Sequence, residues 1–436
     1  ATMRASSSIS STSLVLLLCS LLSITSGFTT LTPSKTKRAI RPPAFLLSSK
    51  TSNESEKEEQ HTDMALSRRS AISKGTAAAI TAIASATTLS TGALPANALP
   101  SDNYINTPQT IVITGCNSGI GLDAVKRLST PSTPRHRLIL ACRTLAKAQS
   151  AMQQVMEEIP DANVELIPAE CDLASLESIK SFVENTVGKE DQSLDVVCYN
   201  AGISRNTAAT DVLRTKEGLE LTVGTNHFGH FYLNHLLLPK IKQNTGRIVV
   251  TASSVHDPES PGGAQGSKAT LGTLEGLKRD GNMFEMVDGE AFDADKAYKD
   301  SKLCNVLFTR ELQRRMDKAG TGINVNCFSP GLIVGTGLFR DQNPIFTKVF
   351  DIAATNLLKV GESVHWGGGT VEYMMLDKTV ASKGGYFYTA APGSSKYGDD
   401  AYGKQFTVAE VSKEARDDGK ARELWELSEK LVGISA

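Results

Sequence analysis

A short β-branched run, Thr110-Ile-Val-Ile-Thr114, passes straight into Gly115-Cys-Asn-Ser-Gly119-Ile-Gly121 and then into the helical pattern Leu122–Leu128. A strand, a bare-backbone turn and a helix in that order leave few folds open. Glycines at 115, 119 and 121 let the chain turn sharply and bring amides to a pyrophosphate. The helix N-terminus supplies the positive end of its dipole. Gly115, Asn117, Ser118, Gly119, Ile120 and Gly121 are therefore expected to bind a dinucleotide. A turn with no ligand is the competing reading.

The same alternation recurs down the chain. Arg137–Ala141, Val164–Ile167, Leu194–Cys198, Arg247–Thr251, Ile323–Cys327 and Gly385–Tyr388 read as further strands. Most are continuous apolar runs, as strands buried on both faces of a parallel sheet are. Helical segments between them imply right-handed crossovers. The expected fold class is α/β: a single doubly wound parallel-sheet Rossmann domain over residues 101–436, after a disordered targeting region. No repeat or second domain is evident.

Residues 1–100 differ in composition, being rich in Ser, Thr and Ala and poor in aromatics. The apolar run Leu14–Ile24, behind Arg4 and ahead of Phe28, has the layout of a signal peptide. Lys35, Lys37, Arg38 and Arg41 follow with no acid until Glu54, as in a plastid transit peptide. Arg68-Arg69 ahead of an Ala/Thr/Ile run ending Ala96-Asn97-Ala98 fits a twin-arginine signal for the thylakoid lumen, or an Ala-rich linker. The expected location is the plastid, thylakoid-associated, with the lumen open.

The chain carries 46 Lys and Arg against 47 Asp and Glu, so no basic excess points to nucleic acid. Its 7 cysteines stand singly, which suggests neither zinc nor a disulfide framework.

Further cofactor positions follow the strands. Arg143, with Lys147 a turn on, stands where an acid would take the ribose hydroxyls of NAD. A guanidinium there suits the 2′-phosphate of NADP, so NADPH is the expected cofactor. Asp172 can cap a helix while its loop lies over the adenine. Asn200, Ala201 and Gly202 are small enough for close approach. Pro330 and Gly331 follow a strand, and Thr336 can hold the nicotinamide carboxamide.

The chemistry is expected at Tyr298 and Lys302, four positions apart and so on one helix face. An ammonium beside a phenol favours phenolate, so Tyr298 can give or take a proton. Asn226 can bind a relay water or be an ordinary buried amide. Ser253 or Ser254 can hydrogen-bond the tyrosine hydroxyl; the spacing from Arg247 favours Ser253.

In this order the motifs resemble the short-chain dehydrogenase/reductase family over the whole chain after about residue 108. The resemblance implies hydride transfer at a nicotinamide, with Tyr298 as acid or base and Lys302 holding the ribose. A narrower resemblance rests on Gly224–His230, Ala269–Leu277, Met286–Asp293, Lys296–Asn305, Thr336–Arg340 and Ser428–Gly433. It is to the light-dependent protochlorophyllide oxidoreductase family, which implies reduction of one pigment ring double bond with NADPH. Two positions depart from that family. Leu332 stands where those enzymes typically have a cysteine, and Gly202 where they tend to have alanine. Ile345, Phe346, Val349, Phe350 and Leu357 fall near helical spacing. That stripe can lid a large apolar substrate, touch a plastid membrane, or be ordinary core. A homo-oligomer stays open. A dark NADP-dependent carbonyl or retinol-type reductase competes with the pigment reading. So does a non-catalytic pigment- or NADPH-binding module, which would be expected to lack Tyr298 or Lys302.

Overall fold

The computed structural model describes residues 103–188, 193–279, 283–339, 341, 354, 360–397 and 405–434. The chain divides into Ala1–Ala98 and Leu99–Ala436. The targeting segments and the stripe from Ile345 to Leu357 lie outside the described residues.

Eight strands form one sheet: β1 (Thr110–Thr114), β2 (His136–Cys142), β3 (Val164–Glu170), β4 (Val196–Tyr199), β5 (Arg247–Thr251), β6 (Asn324–Phe328), β7 (Phe387–Thr389) and β8 (Thr407–Ala409). Their order is β3-β2-β1-β4-β5-β6-β7-β8. All neighbours are parallel except β7 and β8, which are antiparallel. The expected strands are present with small shifts of boundary. β8 is too short, at Thr407-Val-Ala409, to stand out in the sequence.

Among the described residues, the seven longer helices are α1 (Gly119–Leu128), α2 (Leu145–Glu158), α3 (Leu176–Phe182), α4 (Gly229–Leu237), α5 (Ala294–Ala319), α6 (Val364–Leu376) and α7 (Asp418–Leu431). They cover both sheet faces, and alternation along β1 shows it. Ile111 and Ile113 join one buried cluster with Val125, Val155 and Val371 from α1, α2 and α6. Val112 joins the other, with Ile179, Leu233 and Leu307 from α3, α4 and α5. A strand apolar on both faces must be covered on both faces.

After β3 the chain returns to the middle of the sheet and lays β4 beside β1. In sheets of this kind the crevice at such a reversal, beyond the carboxyl ends of the strands, holds the ligand. Gly115 follows β1 and Asn200 follows β4, so both stand at that crevice.

Between Ser254 and α5 the chain makes a long excursion. It is a packed element: Ala269, Leu271, Leu274, Leu277, Phe284 and Val287 are buried in the same cluster as α5. Phe284 meets Phe228 edge to face at 6.0 Å between centroids. Its rim is tied to α5 by charge. Lys296 Nζ lies 2.8 Å from Asp288 and 2.5 Å from Asp300, and Asp300 accepts the Thr270 N–H at 2.9 Å. Burial raises the Asp300 carboxyl to about 7 against the pull of Lys296.

Candidate active site

The cofactor end is built from backbone. Gly115 has φ +66°, and a Cβ there would stand 2.7 Å from the Ala201 Cα. Any side chain would push the two turns apart, so glycine is required twice over. At Gly121 a Cβ would meet the Asn200 amide at 2.5 Å. α1 opens at Gly119 with no acid in its first turn, and its N-cap, Ser118, makes no side-chain capping bond. The first N–H groups of that helix therefore remain for an anion. The Ile120 side chain packs against the buried cluster that holds α1, so its contribution to the cradle is its N–H.

The two turns are stitched together. Asn200 N–H and Ala201 N–H donate to Thr114 Oγ1 at 2.9 and 3.0 Å. Asn200 Nδ2 donates to the carbonyls of Thr114 and Gly115 at 3.0 and 3.3 Å. Its Oδ1 is buried with no hydrogen-bond partner among the described residues. A glycine cradle beside an unmatched buried acceptor fits a bound dinucleotide carrying a donor.

Arg143 is exposed just beyond β2, where a phosphate on the ribose can reach it. Asp172 differs from expectation. Ser175 is the N-cap of α3, accepting the Ser178 N–H at 3.3 Å, while Asp172 accepts the Ala174 N–H at 3.1 Å. Asp172 thus shapes the loop rather than capping the helix, because α3 starts one turn later than its position suggests. Thr336 is brought to the cradle: a Cβ on Gly119 would meet it at 3.2 Å. Its hydroxyl donates to Ile333 O at 3.1 Å. Beyond Pro330, Gly331 lies against the Glu362 side chain, whose carboxylate accepts the N–H groups of Ser394 and Ser395 at 2.9 and 2.8 Å.

The catalytic end is built from side chains. α5 carries Tyr298 half-buried and Lys302 buried. Asp293 caps that helix by accepting the Lys296 N–H at 3.0 Å. Ser253, just beyond β5, acts on the Tyr298 hydroxyl and lowers its pKa. Ser254 instead opens a short 3-10 turn, and its carbonyl accepts from Ser260 at 2.8 Å.

The expected phenolate is not what this arrangement favours. Burial raises the Tyr298 pKa, and the Ser253 hydrogen bond opposes it only in part. Lys302 Nζ stands over the ring, 5.6 Å from its centroid, and donates to Thr251 O at 3.0 Å. Its charge therefore acts on the ring face and not at the hydroxyl. Burial also lowers Lys302 to about 8. The arrangement favours the protonated phenol.

Asn226 lies in a π-helical turn, Gly224–Phe228, ahead of α4. Such turns are frequent at functional sites. Its amide is committed to protein: Nδ2 donates to Ile203 O and Ser301 Oγ, both at 2.9 Å, and Oδ1 accepts the Ile203 N–H at 2.8 Å. Ser301 donates in turn to Tyr298 O at 2.6 Å. Asn226 thus clamps the loop after Gly202 to the helix that bears Tyr298. Gly202 stands near both groups, and a Cβ there would lie 3.5 Å from Lys302 Nζ and 3.6 Å from Asn226 Oδ1.

Two buried histidines escaped the reading of the sequence. His256 donates from Nδ1 to Ser253 O at 2.7 Å and accepts the Ser412 N–H at 3.3 Å, pinning the serine from behind. His230 stands between Thr114 Oγ1 and Asn226 O, at 3.0 Å from each. Its place four residues after Asn226, on the same helix face, was the available signal.

Residues 109–272 match the short chain dehydrogenase family model. The chain is 35% identical to the chloroplastic protochlorophyllide reductase of Daucus carota over 74% of its own length and 78% of that protein. It is 36% identical to that of Marchantia paleacea over 77% and 70%, and 36% identical to protochlorophyllide reductase A of Oryza sativa over 74% and 80%. A solved structure of an uncharacterised Mycobacterium paratuberculosis protein is 27% identical, covers 76% of this chain and 96% of that one, and superposes with a TM-score of 0.52. The chain belongs to the short-chain dehydrogenase family, as an oxidoreductase with a nicotinamide cofactor and a likeness to the protochlorophyllide reductases.

Proposed function

We propose that this protein reduces protochlorophyllide to chlorophyllide in the light, with NADPH as hydride donor, in the plastid. The observation that carries the pigment and the location is its 35–36% identity to enzymes named chloroplastic protochlorophyllide reductase. NADPH, when bound, supplies the hydride to one carbon of the ring double bond. Tyr298 gives its proton to the other carbon, so the double bond takes up one hydride and one proton. Ser253 orients the donor. Lys302, held over the ring face by Thr251 O, carries the positive charge that holds the ribose. Arg143 takes the 2′-phosphate. Asn117, Ser118 and the glycine cradle hold the pyrophosphate, and Thr336 lies on the nicotinamide side.

Leu332 and Gly202 favour the dark carbonyl reductase as the second reading, since both depart from the pigment enzymes. Leu332 is half-buried, and its carbonyl accepts the Glu362 N–H at 2.8 Å. Leucine offers the pigment no donor, where a thiol would offer a weak one. The test is absorbance of the purified protein with NADPH and protochlorophyllide, before and after a flash. Product should form only after the flash, and Leu332→Cys should raise the yield per flash with little change in NADPH affinity. A displacement of the pigment by about 1 Å can cost on the order of a hundredfold in rate, which bounds the gain. No light-driven product from either protein, together with dark NADPH oxidation by a simple ketone, would transfer the assignment to the carbonyl reductase.

A further inference from the structure

We propose that His230 is a positioning residue, a neutral hydrogen-bonded lock that joins the glycine-rich turn, the Asn200-Ala-Gly202 turn and the catalytic helix into one unit. The inference rests on the nicotinamide-binding reading and extends it to a residue that touches neither cofactor nor substrate.

The proton positions follow from counting. Thr114 Oγ1 has one proton and two lone pairs. Asn200 N–H and Ala201 N–H, at 2.9 and 3.0 Å, occupy both lone pairs. The hydroxyl proton must therefore leave toward an acceptor. His230 Nε2 lies at 3.0 Å and Cys198 O at 3.4 Å, so the histidine is the nearer. On its other side, His230 Nδ1 lies 3.0 Å from Asn226 O. A carbonyl only accepts, so Nδ1 must carry the ring proton and Nε2 must be bare. Both contacts are satisfied at once by the neutral Nδ1–H tautomer.

The surroundings keep the ring neutral. His230 is 2% exposed, on the first turn of α4, and stands 5.1 Å from the Tyr199 ring between centroids. The groups that act on it are Lys302 of α5 and the Asn226 carbonyl, while His227 of the π-helical turn is itself lowered by His230. No carboxylate is among them. Burial and the Lys302 charge hold it down to about 4, although the carbonyl pulls the other way.

The consequence is a continuous path. The cradle turn donates through Thr114 to His230, His230 donates to Asn226, Asn226 donates to Ser301, and Ser301 donates to Tyr298 O. Cofactor cradle and proton donor are thus fixed to each other through one imidazole. A phenylalanine could fill the space but would leave Thr114 without its nearest acceptor and remove the side-chain donor to the Asn226 carbonyl. A buried hydroxyl deprived of its nearest acceptor should weaken an affinity that depends on the turn by about tenfold.

The test has two arms, both on the full chain. In ¹⁵N-histidine spectra from pH 5 to 8, His230 should show a protonated Nδ1, a bare Nε2 and no titration. An Nε2–H ring, or a ring titrating near 6.5, would overturn the lock, and this arm needs no variant and no ligand. In the second arm, NADPH affinity is read by fluorescence for His230→Phe, Thr114→Val and the double variant. Each single should weaken binding about tenfold, and the double no more than the weaker single, because both break one linkage. Unchanged affinity in a folded His230→Phe protein, or losses that multiply to about a hundredfold, would sink the proposal. If the wild type bound neither NADPH nor NADH, the cofactor reading would fail, while the tautomer would still decide the lock.

Discussion

The glycine-rich turn after β1 and the excursion between Ser254 and Asp293 border the same site and are built by opposite means. The turn is contiguous in sequence and works through backbone: positive φ at Gly115, missing side chains, amides held by Thr114 and carbonyls held by Asn200. The excursion works through side chains that come from elsewhere. Lys296 and Asp300 of α5 hold its rim, Arg214 donates to Phe284 O at 2.9 Å, and its apolar residues reach the sheet core. A backbone cradle tolerates almost no substitution at its glycines and needs little from the rest of the chain. A side-chain assembly tolerates more at each position and fails when a distant partner is lost. Binding should therefore separate from chemistry when single residues are changed.

The sharpest separation is expected at Tyr298→Phe. Loss of a general acid should cut product formation by roughly a hundred- to ten-thousandfold. NADPH affinity, measured by fluorescence titration, should stay at the wild-type value. A comparable collapse in both would mean that the two ends are not distinct.

Arg143→Ala should act the other way round. Removing a charge-assisted phosphate contact should weaken NADPH by about ten- to a hundredfold and leave NADH unchanged. Equal affinity of the wild type for the two cofactors would take the phosphate away from Arg143.

A smaller effect is expected from pH. Burial brings Lys302 from 10.5 to about 8, so its charge is complete near pH 6 and is lost as pH rises past 8. NADPH affinity should be level up to about pH 7 and fall severalfold by pH 9. Stability without cofactor should have the opposite slope. The unfolded chain binds the extra proton between 8 and 10.5, so this group favours folding increasingly as pH rises through that window. Affinity that rises with pH across the same range would place the charge on another group.

The smallest effect is expected at Gly202→Ala. Gly202 does not have positive φ, and the new Cβ would stand at ordinary contact distance from Lys302 and Asn226. Stability should change by less than about 1 kcal/mol, toward the stabilised side, since alanine narrows the unfolded ensemble. Turnover should stay within about twofold, because no buried group loses a partner. A large loss would show that the glycine, where the pigment enzymes carry alanine, is a functional difference.

Legibility followed the same division. The central strands were readable because they are buried on both faces and so are apolar almost without interruption, as in Ile111–Ile113. β8 was not, since three residues at the sheet edge carry too little pattern. The cradle was readable because its function lies in the residue types themselves. Asp172 was read as a cap because an aspartate ahead of a helical pattern often is one, yet Ser175 sits where α3 begins. Tyr298 and Lys302 were readable as a pair, but the sign of their coupling was not. It depends on where Nζ points, and here it points over the ring toward Thr251 O.

By itself, then, the sequence determined the doubly wound sheet, the glycine turn and the tyrosine helix. Period and composition carry those, because they depend on neighbours near in the chain. Tertiary structure alone decided which serine meets Tyr298, what occupies the Asn226 amide, how the excursion is latched to α5, and that His230 bridges Thr114 and Asn226. Those depend on hydrogen bonds 2.9–3.0 Å long between groups on different elements, as at His230, Ser301 and Thr270. Contacts of that length are set by how α4 and α5 pack on the sheet, and a one-residue change of helix phase would remove them.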